Sequence, residues 1–418
     1  MGQDGAITGL YEIADNFSAP RALASAEAVQ TPHQKLVFPI IQSAGSRLTE
    51  VCVFNPNALP VNLRLAGFTS LGNRVEPTDS SGRPVSSLTL PAFGTLVVSS
   101  TRSSSIYDVH LPFNNLDGGY IAVQTTDGQG IVGGETFSEV RSGGQSLSLL
   151  NGLPSPSGCL PSTMEPFGCH TDDSPDSPVP SAIRQHTLYA MYVEANPADP
   201  ILCLVNVSDS PAQVAVSAFS ESGQFRATSP SSGFLTINPH QMVQASVLSL
   251  FGFNPSSGYI RVEDPNSAFV GGIINRVNGA YTTAVPIPPD DPRLTQTATT
   301  TFFSRIQLDP PSADPRLTTG VLIFNPNNNP VQFTITITDS RGAPRRSPTQ
   351  RLAARGVFVR ARQSLTTLFP NVNVSGGFAH IGVTGDLEPG MGGLVIPVAV
   401  YRASNWVSAV PPQNKQPE

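Results

Sequence analysis

The chain has 418 residues, which predicts two to four domains because most single domains hold roughly 100 to 200 residues. Its 40 Pro and 36 Gly exclude long helices, since Pro costs roughly 3 kcal/mol and Gly roughly 1 kcal/mol in a helix interior. A net charge of −6 with only 13% charged residues argues against both a nucleic-acid partner and a charge-driven disordered chain.

Residues 1–30 are predicted to be an N-terminal extension outside the repeated part of the chain. Their apolar positions form a possible edge-strand donor, made of Ile7, Leu10, Tyr11 and Ile13. Such a segment could pair with the edge of a sheet, in this molecule or in another copy, by strand addition. A frayed terminus is the alternative.

The first residues contain neither a basic region nor an apolar stretch, so no leader is expected in this chain. No run of about 18 apolar residues occurs, so no transmembrane segment is predicted. The features described below favour a secreted or cell-surface protein whose leader is absent from this chain.

One sequence pattern occurs three times: an apolar segment, a six-residue connector rich in Asn and Pro, and an alternating segment. It occupies residues 48–68, 201–219 and 320–338, and no gap is needed to align the three. Matching positions include Phe54, Val205 and Phe324, then Pro60, Pro211 and Pro330, then Gly72, Gly223 and Gly342. We therefore predict three homologous units, named repeat 1 (residues 31–154), repeat 2 (183–289) and repeat 3 (298–412).

Each repeat is predicted to consist of short β-strands. Val331, Phe333, Ile335 and Ile337 alternate with polar residues, which is the period of a half-buried strand. About seven or eight strands per repeat, with turn residues every 8–12 positions, are typical of an immunoglobulin-like sandwich. A jelly-roll topology is the alternative. The predicted fold class is all-β, with three tandem immunoglobulin-like β-sandwich domains joined by Pro-rich linkers.

Two linkers and a tail complete the predicted organisation. Residues 155–182 form a Pro/Ser-rich linker, residues 290–297 a second linker, and residues 413–418 a polar tail. The density of Pro predicts semi-rigid spacers rather than flexible tethers.

The four cysteines fall into two groups. Cys52 and Cys203 occupy the same position in repeats 1 and 2, where repeat 3 has Leu322, and are predicted to be buried free thiols in the cores. Cys159 and Cys169 lie in the first linker and are the disulfide candidate, which implies an oxidising compartment. A metal site that includes Cys169 is the alternative, although the spacing matches no standard zinc pattern.

No catalytic motif is found, so we expect neither an enzyme nor a cofactor or metal. Glu135 and Glu139 lie four positions apart, and a pair of solvated carboxylates is favoured over a glycosidase dyad. Tyr120 and Tyr259 recur at one repeat position, where packing against the sheet is favoured over stacking on a sugar.

The repeats resemble the tandem immunoglobulin-like β-sandwich modules of secreted and cell-surface bacterial proteins. The motifs that carry the resemblance are Phe54-Asn55-Pro56, Phe68 to Gly72 and Gly119 to Val123. The resemblance implies an extracellular location more than any activity.

Two functions are therefore expected from the sequence. The first is an extracellular structural or interaction protein, a rod of three β-sandwiches on a cell surface, in a matrix or in a filament, with head-to-tail self-association and possible strand addition. Sequons at Asn16, Asn206 and Asn373 would allow glycosylation. The alternative is a carbohydrate-binding or adhesive module of a larger secreted protein.

Overall fold

The computed structural model shows an all-β protein, as the composition predicted. It describes residues 10–14, 23–27, 32–45, 47–99, 107–141, 144–151, 153–154, 187–193, 200–231, 233–252, 257–263, 272–277, 280–283, 285–286, 300–309, 318–339, 341–359, 365–370, 372–383, 394–403, 406–410 and 413–414. Nearly all of these residues lie in antiparallel strands or in the turns that join them.

The N-terminal segment contributes two strands, β1 (Leu10–Ala14) and β2 (Leu23–Glu27), which pair with each other. The described strands of repeat 1 are β3 (Lys35–Phe38), β4 (Arg47–Phe54), β5 (Val61–Phe68), β6 (Arg74–Val75), β7 (Leu88–Leu90), β8 (Thr95–Ser99), β9 (Tyr120–Thr125), β10 (Val132–Arg141), β11 (Gly144–Asn151) and β12 (Leu153–Pro154).

Repeats 2 and 3 contain the same succession of strands. Each strand corresponds to the strand whose number is ten higher in the next repeat, so that β3 corresponds to β13 and β23. Repeat 2 contains β13 (Thr187–Val193), β14 (Ile201–Val205), β15 (Ala212–Ser220), β16 (Phe225–Ser229), β17 (Leu235–Ile237), β18 (Met242–Ser246), β19 (Ser257–Glu263), β20 (Gly272–Val277), β21 (Ala280–Thr283) and β22 (Val285–Pro286). Repeat 3 contains β23 (Thr300–Leu308), β24 (Thr318–Phe324), β25 (Val331–Thr338), β26 (Pro344–Arg346), β27 (Gln350–Leu352), β28 (Val357–Val359), β29 (Val374–Val383), β30 (Ile396–Ala403), β31 (Trp406–Val410) and β32 (Gln413–Asn414).

Short helices interrupt the strands at a few points. Helix α1 (Val247–Phe251) begins at Ser246, whose side chain accepts a hydrogen bond from the Ser249 amide, and ends at Gly252. This is ordinary capping, with a Ser at the start and a left-handed Gly at the end. Single 3₁₀ turns occur at Phe113–Leu116 and Leu365–Thr367.

Each repeat divides its strands between a small sheet and a large sheet. In repeat 1 the small sheet has the order β11-β10-β4-β8, and the large sheet has the order β12-β3-β9-β5-β6 with β7 also on β5. The corresponding strands of repeats 2 and 3 pair in the same way, and in repeat 3 the two sheets also join through β23 and β24. Gln413 and Asn414, expected in the polar tail, form β32 and pair with β23 instead.

An apolar core fills the space between the two sheets of each repeat. In repeat 3 it contains the alternating residues of β25, because Val331, Phe333, Ile335 and Ile337 are all buried as predicted. Equivalent cores lie in repeat 1 and in repeat 2, and each includes residues from both sheets. The β-sandwich character therefore follows from one-sided burial of short alternating strands.

The repeats are packed face to face and not end to end. The large sheet of repeat 1 packs on the small sheet of repeat 2, and the large sheet of repeat 2 packs on the small sheet of repeat 3. The edge strands β11, β21 and β31 also lie against one another, and β2 lies against β11 and β31. Contacts between sheets therefore set the placement of the described parts of the repeats.

Candidate interaction site

A buried Asn organises the connector after the first long strand of each repeat. Asn55, Asn206 and Asn325 are fully buried. In repeat 1 the Nδ2 of Asn55 donates to the carbonyls of Leu59, Leu90 and Pro91, and its Oδ1 accepts from the amide of Asn57. One side chain therefore satisfies several backbone groups, and it ties the connector to the turn that precedes β8.

The turn before β8, and before β18 and β28, has the same unusual backbone shape in every repeat. Its central residue has a positive φ of 57° at Phe93, 58° at His240 and 55° at Arg355. The following carbonyl accepts a hydrogen bond from the buried Asn amide, at 3.0 Å in repeats 1 and 2 and 2.9 Å in repeat 3. We name this element the receiving turn. It presents one side chain and one outward amide at a fixed place on the small sheet.

Repeat 1 docks on the receiving turn of repeat 2 through the hairpin turn at its residues 69–72. The amide of Met242 donates to the carbonyl of Ser70 at 3.0 Å. Gly72 has a φ of +85°, and a Cβ there would lie 2.8 Å from the carbonyl oxygen of Pro239. Glycine is therefore required twice, for the backbone conformation and for the close approach of repeat 2.

Apolar side chains extend this first contact across the two sheets. The rings of Phe68 and Tyr120 stack at 4.9 Å, and the His240 ring lies 5.8 Å from Phe68. Val205 and Met242 cover them from repeat 2. Burial lowers the pKa of His240, and the Asp209 carboxylate 3.0 Å away opposes that shift only in part.

Repeat 2 docks on repeat 3 with the same elements. The amide of Val357, which occupies the place of Met242, donates to the carbonyl of Glu221 at 2.7 Å. Gly223 has a φ of +79°, and a Cβ there would lie 2.6 Å from the carbonyl oxygen of Ala354. The hairpin turn of one repeat thus sits against the receiving turn of the next repeat in both cases.

An aromatic cluster covers this second contact. The rings of Phe219 and Tyr259 stack at 4.7 Å, and Phe324 lies 4.5 Å from Tyr259 and 4.9 Å from Tyr189. The receiving-turn residue Arg355 reaches across and donates from Nη1 to the Tyr189 hydroxyl at 3.0 Å. Stacked and tilted rings at these distances contribute beyond the area they bury.

The two interfaces are therefore one interface built twice. In each, the outer face of a large sheet covers the outer face of the next small sheet, and a hairpin-turn carbonyl accepts from a receiving-turn amide. The recurrent Tyr120 and Tyr259 are buried within it, so packing is their role and neither is available to stack on a sugar.

The two repeat-equivalent cysteines lie on this outer face, and not in the cores. Cys203 is buried because repeat 1 covers it at Phe137 and Ile40. Cys52 is only partly buried, so the expectation of a buried core thiol must be corrected there. Both are free thiols, and burial raises the pKa of each, with Glu50 adding to the effect at Cys52.

The remaining predicted site residues are placed as follows. Cys159, Cys169 and Ile7 lie outside the described residues. Leu10, Tyr11 and Ile13 lie in β1, whose pairing partner is the neighbouring strand β2.

Glu135 is a buried carboxyl that sequence reasoning placed in solvent. It lies on β10 and is fully buried in repeat 1. Its carboxyl oxygens have no hydrogen-bond partner among the residues described. Burial raises the pKa of Glu135 well above its usual value, and the backbone amide of Ile40 lies close enough to oppose this in part without forming a hydrogen bond. The side chain of Glu139 is outside the described part of the structure.

The described part of the chain contains no group of three or more His, Cys, Asp or Glu side chains placed to hold a metal ion. It also contains no helix long and apolar enough to cross a membrane.

Comparison with known proteins does not identify a family for this chain. No protein-family model and no curated protein sequence matches the chain. Among solved structures, the viral chemokine-binding protein R17 encoded by rodent gammaherpesvirus Peru is similar at a TM-score of 0.20 and 10% identity, over 93% of this chain and 88% of that one. At that TM-score the likeness carries no argument.

Proposed function

We propose that this chain is an extracellular structural and interaction protein, in which three immunoglobulin-like β-sandwich domains are held face to face as one body. The observation that supports this proposal is the repeated interface, in which Met242 and Val357 make the same amide contact to the preceding repeat. The chain buries an equivalent surface at each of its two interfaces between repeats, which holds the repeats in fixed positions. Such a rigid body is suited to forming contacts with other molecules.

The chemistry of the interface supports a structural role over a binding cleft. Its aromatic residues are buried against other repeats, and one backbone-to-backbone hydrogen bond recurs in both interfaces. The exposed surface of the described residues includes sheet faces and turns that carry apolar side chains, such as Phe93 and Val97. Self-association fits such faces better than recognition of a small ligand.

The arrangement of the domains is tested by small-angle X-ray scattering at low concentration. A compact body of this length has a radius of gyration of roughly 22 Å. We expect the wild-type chain to lie near that value, apart from the contribution of its linkers. A much larger radius, with a profile of independently moving beads, would contradict the proposal.

The extracellular location is tested by the linker cysteines. We expect Cys159 and Cys169 to resist alkylation until a reductant is added, while Cys203 reacts only after unfolding. Intact-mass measurement of protein from its native source would distinguish the alkylated form of these cysteines from the unmodified form. Alkylation of both linker cysteines without reductant would argue against an oxidising compartment.

A carbohydrate-binding role is the competing proposal, and a glycan array with the full chain decides it. Specific binding to any glycan class would favour that role, and an absence of binding would leave the structural proposal.

A further inference from the structure

The outer face of the large sheet is covered by the next repeat in repeats 1 and 2, but in repeat 3 it carries exposed charged side chains. In repeats 1 and 2 this face includes Phe68 and Phe219, both buried at interfaces. Repeat 3 has Thr338 at the corresponding register position. The two edge strands beside it contribute Arg346 and Arg351, and both are exposed. A face that is apolar and covered in two repeats is therefore polar and charged in the third.

This face belongs to the most basic part of the chain. Residues 340–362 contain seven Arg and no Lys, Asp or Glu. Repeat 3, residues 298–412, has ten Arg against five acidic residues, a net charge of +5. Since the whole chain carries −6, the rest of it carries −11. A positive face on an otherwise acidic protein favours a negatively charged partner.

Strand pairing places two of these Arg on the same side of the sheet. Arg346 of β26 lies opposite Thr336 of β25. Arg351 of β27 lies opposite Gln332, which shares a face of β25 with Thr336. The Nη2 of Arg346 donates to the Oγ1 of Thr334 at 3.4 Å, so its guanidinium extends toward the part of the face that Arg351 borders. Two positive side chains are thus neighbours on one exposed face.

The acidic side chain of the adjoining turn is already engaged. Asp339 accepts hydrogen bonds from the amides of Ala343 and Arg341. The Ala343 amide is the main cause that lowers the pKa of Asp339, and the charge of Arg341 adds to the effect. Within the described structure, neither Arg346 nor Arg351 forms an ion pair with a carboxylate. Their positive charge is available to a partner.

The edge of this sheet is closed to strand addition, so a partner must bind through side chains. β26 is the edge strand, and the Ser347 amide beside it donates inward to the carbonyl of Ile335. The alternate residues Pro344 and Arg346 therefore direct their backbone groups outward. Pro344 has no amide hydrogen, which leaves Arg346 as the one outward amide of β26. Pro and charged residues on an edge strand oppose strand addition.

From these features we propose that the outer face of the large sheet of repeat 3 binds a short acidic segment of a partner protein, whose carboxylates pair with Arg346 and Arg351. The proposal rests on the proposed interaction function and names a partner for it. The planar guanidinium fork matches a carboxylate with two parallel hydrogen bonds. An extended segment presents every second side chain on one side, about 7 Å apart, which is also the spacing of same-face positions along β25.

Charge favours a short segment over a long polyanion. Nucleic acid carries one charge per about 1.7 Å of duplex and would extend beyond this one sheet face. The rest of the chain, with its net charge of −11, would repel such a polymer. An acidic protein segment can end where the positive face ends.

Fluorescence anisotropy with the full chain tests the proposal. The probe is a short labelled peptide in which Glu alternates with Ser, and the same peptide with Gln in place of Glu is the control ligand. We expect the wild type to bind the Glu peptide at least about tenfold more tightly than the Gln peptide. Because exposed charges are screened by salt, this binding should weaken as the ionic strength rises past about 0.15 M.

The variant that tests the face carries Arg346→Thr and Arg351→Thr together. Repeat 2 has Thr228 and Thr236 at the same register positions, so the substitutions should leave the strand pairing intact. We expect the double variant to bind the Glu peptide about tenfold more weakly than the wild type or worse. Arg226→Thr is the matched control, because Arg226 is exposed on β16, the strand that corresponds to β26 in repeat 2. It should bind like the wild type.

Three results would overturn the proposal. The first is no binding of the Glu peptide by the wild type at low ionic strength, and the second is unchanged binding in the double variant. The third is binding of dextran sulfate or single-stranded DNA to the same face as tightly as the peptide, which would contradict the choice of an acidic protein segment. None of these results alters the scattering profile expected from the two internal interfaces, so this failure is distinguishable from failure of the proposed function.

Discussion

The interface between repeats predicts that the same glycine substitution has different costs in equivalent turns. Gly223→Ala and Gly342→Ala both place a Cβ on a backbone of nearly equal φ, +79° and +84°. The left-handed conformation costs an L-residue about 1–2 kcal/mol, and this part is common to both. Any difference between the two variants therefore measures what surrounds the turn.

Gly223 lies at the interface between repeats 2 and 3, whereas Gly342 has no other repeat against it in the described structure. At Gly223 the new Cβ would lie 2.6 Å from the carbonyl oxygen of Ala354 and 2.8 Å from that of Arg355. Both oxygens belong to the backbone, so the sheets must move apart, and overpacking of this kind costs about 1–3 kcal/mol. The movement also weakens the bond from the Val357 amide to Glu221, worth about 0.5–1.5 kcal/mol. We expect Gly223→Ala to be about 2–4 kcal/mol less stable than Gly342→Ala.

Equilibrium unfolding in urea measures this difference, with two readouts. Circular dichroism follows all strands, whereas fluorescence of the single Trp406 reports on repeat 3, because that residue lies in β31. Gly223→Ala should lower both midpoints, and Gly72→Ala should show a comparable loss, since its Cβ would lie 2.8 Å from the Pro239 oxygen. If Gly223→Ala and Gly342→Ala agreed within about 0.5 kcal/mol, the interface would not contribute as described.

Three further predictions concern buried groups. Because its folded-state pKa is raised above the usual 4.5, Glu135 keeps its proton longer in the folded state, so stability should fall as pH rises above about 4.5. Glu135→Gln should remove this slope, up to about 1.4 kcal/mol per pH unit, and be the more stable protein near pH 7, as urea unfolding across that range would show. Asn55→Ala removes the donor to three carbonyls, each costing about 1–3 kcal/mol when buried without a partner, so thermal unfolding should occur well below the wild type. In a background without the linker cysteines, a thiol reagent should label Cys52 before Cys203, and Gly72→Ala should speed labelling of Cys203 alone by roughly tenfold or more. If Cys203 in the Gly72→Ala variant were labelled no faster than in the wild type, the placement of Cys203 at the interface would be contradicted.

Periodicity within a strand was sufficient to predict the strands themselves. The alternation of Val331, Phe333, Ile335 and Ile337 places one face of β25 in the core, and burial confirms it. Such a prediction succeeds because the two faces of a strand differ in polarity whenever only one of them is buried. The Asn- and Pro-rich connectors do leave the strand conformation, since Asn and Pro act on the local backbone. They cross from the small sheet to the large sheet, however, and do not form the hairpin loops that such residues predict.

The packing of the outer sheet faces against neighbouring repeats could not be predicted from periodicity within a strand. Cys52 and Cys203 occupy the same position of the same strand, so no local pattern distinguishes them. Cys203 is nevertheless covered by repeat 1, whereas Cys52 stays partly exposed in repeat 1. Burial of an outer face depends on the order of the repeats, which a window along one strand does not contain.

Glu135 illustrates a different limit. It precedes the apolar Phe137 by two residues and therefore shares its face of β10, a signal that was present in the sequence. A carboxyl is rarely placed without a partner in a core, because burying its charge is expensive, so a solvated position was the reasonable prediction. Burial raises the pKa of Glu135 well above its usual value and so favours the neutral form, in a place where a charge would be costly.

The predicted linkers and the interfaces contribute differently to holding the repeats together. The segments predicted to be linkers, residues 155–182 and 290–297, would raise the local concentration of one repeat near the next, and doubling the length of such a segment changes that contribution by only about 0.6 kcal/mol. The turns at Gly72 and Gly223 instead require contact within tenths of an ångström, because carbonyl oxygens lie against them. Relative placement is therefore encoded at those turns and at the receiving turns opposite.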